Sequence, residues 1–374
     1  MKSFFTLSYY FCLLFGCKYS GKMFHNNFLS LKILNGLKGF SALSILIGHI
    51  VRNNPKYNKT ILKYIPPGNF SIYPAFFLFC SGYGIMVSYK KRKNYLDDFL
   101  KKRLLKILIP FYLSKIAILS FSKYDSYDYQ KSFLKNLQFL DILGNLFLYN
   151  YNWFVMEIIT LYLLFYFSFK YINNKILSKL LILIICWILF FIPTFFESNE
   201  NSKYIFVRRH YHLSIYSFIY GLFIGDYEDM IIQIIKKFYY IFFSLSILFP
   251  YCFYIFNKYI YLFPYIRGNY FYYFFNYSKI NIENIIIYSS FLIISMKFQF
   301  NNILLDYLGK YSYETYLFQF LIFKISDKYI IIDIIFWEVC FIIILTFYFS
   351  EISNFISQKL FDYITMNKKY SIKY

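Results

Sequence analysis

Long apolar segments recur between residues 33 and 350, and this pattern constrains the fold more than any other feature of the chain. An apolar stretch of about 18 or more residues is long enough to span a membrane as a helix. Hydrophobic residues occupy 59% of the 374 positions, more than in an ordinary soluble domain. The sequence therefore predicts an all-α integral membrane protein with about ten transmembrane helices in one bundle. The predicted helices cover residues 33–51, 70–89, 105–122, 152–170, 176–196, 210–225, 236–256, 281–297, 304–324 and 329–350.

The charges between these segments predict the orientation of the bundle. The segment after the second helix is the most basic in the chain, so we expect it to face the cytoplasm. Its cations are Lys90, Lys91, Arg92, Lys93, Lys101, Lys102, Arg103 and Lys106. The basic residues 52–63 after the first helix argue against this orientation, but they include only four cations. Because an even number of helices returns the chain to its starting side, both termini are predicted to be cytoplasmic.

The formal net charge of +21 favours membrane lipids as partners. In a soluble protein such a charge would indicate nucleic acid. Here the cations lie between apolar segments, where they contact anionic headgroups, and no nucleic-acid-binding motif is present. Residues 1–22 are predicted to be an N-terminal extension without a function, either a start-site artefact, a signal-like segment or an extra helix. We expect a ten-helix membrane domain at 23–355 and a short basic cytoplasmic tail at 356–374.

The first predicted helix lies in the segment Leu31–Asn54 and contains two residues that a membrane helix does not carry without a reason, Lys38 and His49. They are eleven positions apart, which is about three helical turns and roughly 16 Å along the axis. Both side chains are therefore predicted to lie on nearly the same face. A basic group and a titratable imidazole on one face of a membrane helix indicate a functional site.

Other charged residues in or near apolar segments are weaker candidates. Glu314 is costly in a membrane helix without a partner, so it is predicted to pair with His49 or Lys38 or to accept a substrate hydroxyl. Glu157 raises the same question. The cluster Arg208, Arg209, His210 and His212 has no metal-ligand spacing, so no metal site is expected.

Five blocks in order along residues 31–320 resemble blocks of the membrane acyltransferase 3 family. They are NGLKGFSALSILIGHI around Lys38 and His49, FFLFCSGYGI at 76–85, FLKKRLLKILIP at 99–110, Trp153-Phe154 with Tyr162, and LGKYSYETYLFQF at 308–320. The family usually has arginine at the positions of Lys38 and Lys106, and often histidine at that of Gln319. Lysine keeps the charge but lacks the planar fork of arginine, so these departures predict looser phosphate binding, an altered substrate or a weakened enzyme.

The resemblance implies an integral membrane O-acyltransferase of a bacterial plasma (inner) membrane. Its donor would be cytoplasmic acyl-CoA, such as acetyl-CoA, and its acceptor a hydroxyl group of a cell-envelope polysaccharide or a lipid-linked sugar. His49 would be the base and Lys38 would support the site. Arg103 and Lys106, which lie three residues apart on one helical face, would bind the donor phosphates together with Lys102.

Three alternatives remain open at this point. A transporter or flippase for a glycan or lipid would explain the membrane body, but it predicts repeated halves with matching broken helices, which the sequence does not show. A polysaccharide polymerase or glycosyltransferase would need large outer loops, for which only 123–151 and 257–280 are candidates. A non-catalytic relative would explain the departures at Lys38, Lys106 and Gln319.

Overall fold

The computed structural model describes residues 11–25, 28–53, 71–122, 153–196, 214–260, 270–300, 302–329 and 335–370. Within these ranges the regular structure is helical except for one pair of two-residue strands, so the all-α prediction is confirmed. In chain order the elements are β1 Lys18–Tyr19, α1 Leu31–Asn53, α2 Ile72–Lys91, α3 Phe99–Ser122, α4 Trp153–Tyr171, α5 Lys175–Phe196, α6 Ile215–Asp226, α7 Glu228–Lys237, α8 Tyr239–Ile260, α9 Tyr270–Ser295, β2 Phe298–Gln299, α10 Ile303–Lys310, α11 Ser312–Tyr329 and α12 Ile335–Tyr370.

A helix lies at each of the ten predicted positions, but fewer helices are long and apolar enough to cross a membrane. Among the described residues four qualify, and these are Lys32–Arg52, Ile72–Lys91, Trp153–Tyr171 and Trp337–Thr365. Helices α7 and α8 would form a fifth span together, although the chain bends by 96° between them. Helix α6 has only 12 residues, which is too short to cross the hydrocarbon core alone. The number of ten spans therefore remains a prediction.

The first helix is held by direct backbone contact with the short helix α10. A Cβ atom on Gly39 of α1 would collide with the carbonyl oxygen of Leu305, and one on Gly309 of α10 would collide with the carbonyl oxygen of Asn35. Small residues permit this close approach because no side chain separates the two backbones. The contact fixes the position of α1, which carries Lys38 and His49.

Helices α2 and α6 pack against each other in the same way. A Cβ atom on Gly82 would collide with the carbonyl oxygen of Phe218, and one on Gly221 would collide with that of Phe79. Both helices thus supply glycine to the contact, and Gly225 of α6 adds a further close approach to the carbonyl oxygen of Tyr83. Since the opposite side of α2 lines the site described below, this packing determines where that wall lies.

Two lysines hold the end of α6. The Lys179 ammonium is fully buried and forms an ion pair with Asp226, between the rings of Phe223 and Tyr227 at 4.6 Å and 4.3 Å. Lys90 of α2 donates a hydrogen bond to the backbone carbonyl of Asp226 at 2.7 Å. Asp226 thus provides the charged partner that the buried ammonium group of Lys179 requires.

Residues 11–25 pack against the helical body instead of standing apart from it. Strand β1 pairs antiparallel with β2, with Lys18 opposite Gln299. The Lys297 ammonium donates hydrogen bonds to three backbone carbonyls, those of residues 21, 22 and 23, at 2.8 Å, 3.1 Å and 2.8 Å. It also lies 4.3 Å from the ring centroid of Phe24. The described part of the predicted extension therefore contributes to the structure.

The last helix is longer than the sequence predicted. Helix α12 has 36 residues and continues to Tyr370, through the region predicted to be a separate basic tail. At about 1.5 Å per residue it extends roughly 54 Å, which exceeds the roughly 30 Å of the hydrocarbon core. Its distal part reaches α3, where the ring centroid of Phe361 lies 5.5 Å from the Lys106 ammonium.

Candidate active site

A cavity of about 810 Å³ lies between helices α1, α2, α3, α4 and α11. On α2 it is lined by residues that recur every three or four positions and so form one stripe of the helix: Pro74, Phe77, Ser81, Gly84 and Ser88. From the first to the last of these residues the stripe is about 21 Å long. The cavity therefore extends along most of α2.

Lys38, Ile45 and His49 form the wall that α1 contributes to this cavity. The eleven-residue spacing predicted a shared face, and the structure brings both polar side chains to the same cavity. Both are half-buried, so each is accessible from the cavity while its base is packed in protein. Three helical turns separate them, so Lys38 and His49 lie at different depths along the cavity.

The His49 ring is oriented by two residues of α11. Its Nδ1 atom lies 2.9 Å from Oε1 of Gln319, within hydrogen-bonding distance. The Gln319 Nε2 atom donates to the carbonyl oxygen of Tyr316, also at 2.9 Å. The Phe320 ring lies beside the imidazole, with 5.5 Å between the ring centroids. In the sequence, Gln319 stood out only because the family often has histidine at this position. Its contact with His49, 270 residues away, leaves no local pattern that could have predicted it.

The other end of the cavity is strongly basic. It is lined by residues of the segment between α2 and α3 and by the first turns of α3: Arg92, Lys93, Asn94, Tyr95, Asp98, Lys102, Arg103 and Lys106. The structure therefore brings Arg103, Lys106 and Lys102, the predicted donor-binding residues, to one place. Lys102 and Lys106 are exposed, whereas Arg103 is half-buried. Lys102 also pairs with Asp98 at 2.9 Å, but both side chains are more than half exposed, so this pair is weak.

Arg103 belongs to a hydrogen-bonded row of aromatic and hydroxyl groups that the sequence did not indicate. It donates to the hydroxyl of Tyr95 at 2.9 Å, and its guanidinium carbon lies 5.9 Å from the Tyr162 ring centroid. The Tyr162 hydroxyl is in turn 2.8 Å from Oγ of Ser81 on α2. This row fixes the guanidinium group of Arg103 in the cavity wall.

The predicted partners of Glu314 are not found in the structure. Its buried carboxylate accepts a hydrogen bond from Asn354 of α12 at 2.8 Å, not from Lys38 or His49. Glu314 also does not line the cavity, although Tyr313 and Tyr316 do. The physical reason is helical geometry, since residue 314 lies on the side of α11 that faces α12.

Two other candidates from the sequence do not contribute to the described cavity. Glu157 is fully buried, and both of its carboxylate oxygens accept from the Ser214 hydroxyl, at 3.0 Å and 2.9 Å. The cluster of residues 208–212 lies outside the described residues. Neither adds a group to the cavity wall as the structure describes it.

The cavity combines groups for two chemical tasks. Its basic end can bind an anion that carries several phosphate groups, because the cations there come from adjacent turns and an adjoining loop. Away from the basic end, His49 can accept a proton. The cavity is also lined there by the aromatic side chains of Phe77, Trp153 and Phe154. Aromatic walls limit the access of water to the groups that react beside them.

A comparison with known families identifies one match. The family model described as an acyltransferase domain matches residues 31–352. This range begins at the first residue of α1 and includes every residue that lines the cavity. No curated protein sequence matches the chain, and no solved structure does.

Proposed function

Because the chain belongs to the acyltransferase 3 family, we propose that it transfers an acyl group, such as acetyl, from cytoplasmic acyl-CoA to a hydroxyl of a cell-envelope polysaccharide or a lipid-linked sugar. The observation that carries this proposal is the shared cavity, which has cations at one end and His49 at another depth. No further cofactor is needed for such a transfer.

The donor would enter at the basic end of the cavity. Coenzyme A carries several phosphate charges, and Arg103, Lys106 and Lys102 are placed to bind them. The flexible arm of the donor would then extend along the stripe of α2, whose length of about 21 Å suits an extended chain. Lys38, which lines the same cavity on α1 three helical turns from His49, would stabilise negative charge near the thioester. Glu314 would support α11 from outside the cavity.

His49 would act as the general base. Its imidazole would take the proton from the acceptor hydroxyl, whose oxygen then attacks the thioester carbonyl carbon. The resulting tetrahedral anion would collapse with cleavage of the carbon–sulfur bond. The leaving thiolate would take the proton back from the imidazolium, so that an ester and free coenzyme A are formed and the enzyme is restored.

The cavity also supports a proposal on topology. With ten spans and both termini in the cytoplasm of a bacterial cell, the basic segment after α2 faces the donor pool. His49 would then lie nearer the outer surface, where an envelope acceptor is available. The helices at all ten predicted positions are compatible with this arrangement.

A complementation experiment tests the function. A deletion strain would carry either the wild-type protein, His49→Ala or His25→Ala, and the ester-linked acyl content of its surface glycans would be measured. His25 lies in the segment before α1 and does not line the cavity, so its variant is the matched control. We expect the esters to return with wild type and with His25→Ala but not with equally abundant His49→Ala.

Two other outcomes would contradict the proposal. Equal ester content in all three strains would show that His49 is structural. Unchanged esters with altered glycan export or chain length would instead support a transporter or a polymerase.

A further inference from the structure

The two hydrogen bonds of Gln319 determine which way its side-chain amide points. A backbone carbonyl oxygen can only accept a hydrogen bond, so the group that faces the carbonyl of Tyr316 must be the amide nitrogen of Gln319. The amide oxygen therefore faces Nδ1 of His49, 2.9 Å away. Turning the amide over would place two acceptor oxygens against each other at Tyr316, so only one orientation satisfies both contacts.

This orientation has a consequence for the imidazole ring. An amide oxygen can only accept, so Nδ1 of His49 must be the donor and must carry a proton. A neutral imidazole has one ring proton, which leaves the lone pair on Nε2. We propose that Gln319 is a positioning residue that fixes this tautomer of His49, so that Nε2 is the atom that takes the proton from the acceptor hydroxyl. The part that concerns catalysis rests on the proposed function.

The surroundings of Gln319 suit this role. Its side chain is fully buried, so water cannot replace either hydrogen bond. Phe320 packs beside the imidazole and limits rotation of the ring. His49 is half-exposed to the cavity, where an acceptor can approach it. The buried amide of Gln319 therefore has both its oxygen and its nitrogen in hydrogen bonds, and its partner His49 is partly accessible from the cavity.

A spectroscopic experiment tests the tautomer without any assay of activity. The protein, labelled with ¹⁵N-histidine, would be placed in lipid nanodiscs at alkaline pH, where the ring is neutral. The ring-nitrogen shifts distinguish a protonated Nδ1 from a protonated Nε2, and the signals of His49 are those missing from His49→Ala. We expect a protonated Nδ1 in the wild type and in Gln319→Glu, which keeps an acceptor oxygen at this position, and its loss in Gln319→Met. Thr315→Val is the matched control on the same face of α11, because Thr315 is buried and its hydroxyl donates to the backbone carbonyl of Tyr311, just before the helix.

The catalytic consequence is tested with the wild type, Gln319→Met, Gln319→Glu and Thr315→Val. For Gln319→Met we expect kcat to fall by at least about 10- to 100-fold, the size of effect that follows the loss of a partner that orients a metal-bound histidine, with little change in KM for acyl-CoA. Gln319→Glu should retain more of kcat than Gln319→Met, and Thr315→Val should retain wild-type kcat.

The possible failures can be distinguished. A wild-type His49 protonated on Nε2, or a Gln319→Met spectrum identical to the wild type, would overturn the tautomer assignment. A changed tautomer with unchanged kcat would overturn the catalytic part alone. If the wild type transfers no acyl group to any acceptor while its Nδ1 is protonated, the proposed function fails and the tautomer assignment stands.

Discussion

Replacement of Gly82 by alanine should weaken the contact between α2 and α6. The new Cβ would meet the carbonyl oxygen of Phe218, a backbone atom that cannot rotate away. Overpacking of this kind costs about 1–3 kcal/mol, whereas alanine in place of a helical glycine by itself gains about 0.5–1 kcal/mol. We therefore expect Gly82→Ala to lower the free energy of unfolding by about 1–2 kcal/mol. Gly84→Ala is the matched control two residues away, because nothing lies within 4 Å of a Cβ there.

The two alanine variants should change stability in opposite directions. Gly84→Ala should raise the free energy of unfolding by about 0.5–1 kcal/mol, because it reduces the freedom of the unfolded chain without a steric cost. Unfolding of each purified variant would be followed by circular dichroism during titration with a denaturing detergent. Equal stability of the two variants would refute the close backbone contact at residue 82.

Three further predictions concern the ends of the structure and the donor site. Lys179→Met should destabilise the protein by about 3 kcal/mol in the same titration, because it leaves Asp226 without its buried cation. Adding Asp226→Leu should recover part of this loss, and no recovery would contradict the ion pair. Lys297→Met should expose residues 11–25 to protease in proteoliposomes, whereas an unchanged digestion pattern would show that the three carbonyl contacts do not hold the segment. Arg103→Gln should raise KM for acyl-CoA by about tenfold, as expected for the loss of one charged hydrogen bond, and an unchanged KM would place the donor elsewhere.

The positions of the helices could be predicted from the sequence because they depend on local patterns. A run of apolar residues indicates a helix whatever it packs against, and the eleven-residue spacing fixed the shared face of Lys38 and His49. The predictions failed where contacts with neighbouring helices, and not the local sequence, determine the structure. The ninth predicted helix is interrupted at Tyr311, beside the point where Gly309 meets the backbone of α1. The amphipathic helix α7 was also missed, since its ten residues do not form an apolar run.

The chemistry of the site was predictable only in part. His49 and the basic residues stand out because charged or titratable groups are rare in membrane helices. The role of Gln319 depends on a contact across 270 residues, and a single glutamine has no distinctive pattern. Glu314 has such a pattern, but its orientation depends on Asn354 of α12, which no local spacing reveals.

The strand pair β1–β2 restricts how many times the chain can cross the membrane. Both residues of β1 are exposed, and lipid does not tolerate exposed non-helical backbone, so the pair lies outside the hydrocarbon core. Because the strands are hydrogen-bonded, both lie on the same side. The number of crossings between them must therefore be even. The eight helices predicted between β1 and β2 would give an even number of crossings. Helices α1, α2 and α4 alone would give three crossings, so the bent pair α7–α8 or another helix must also cross.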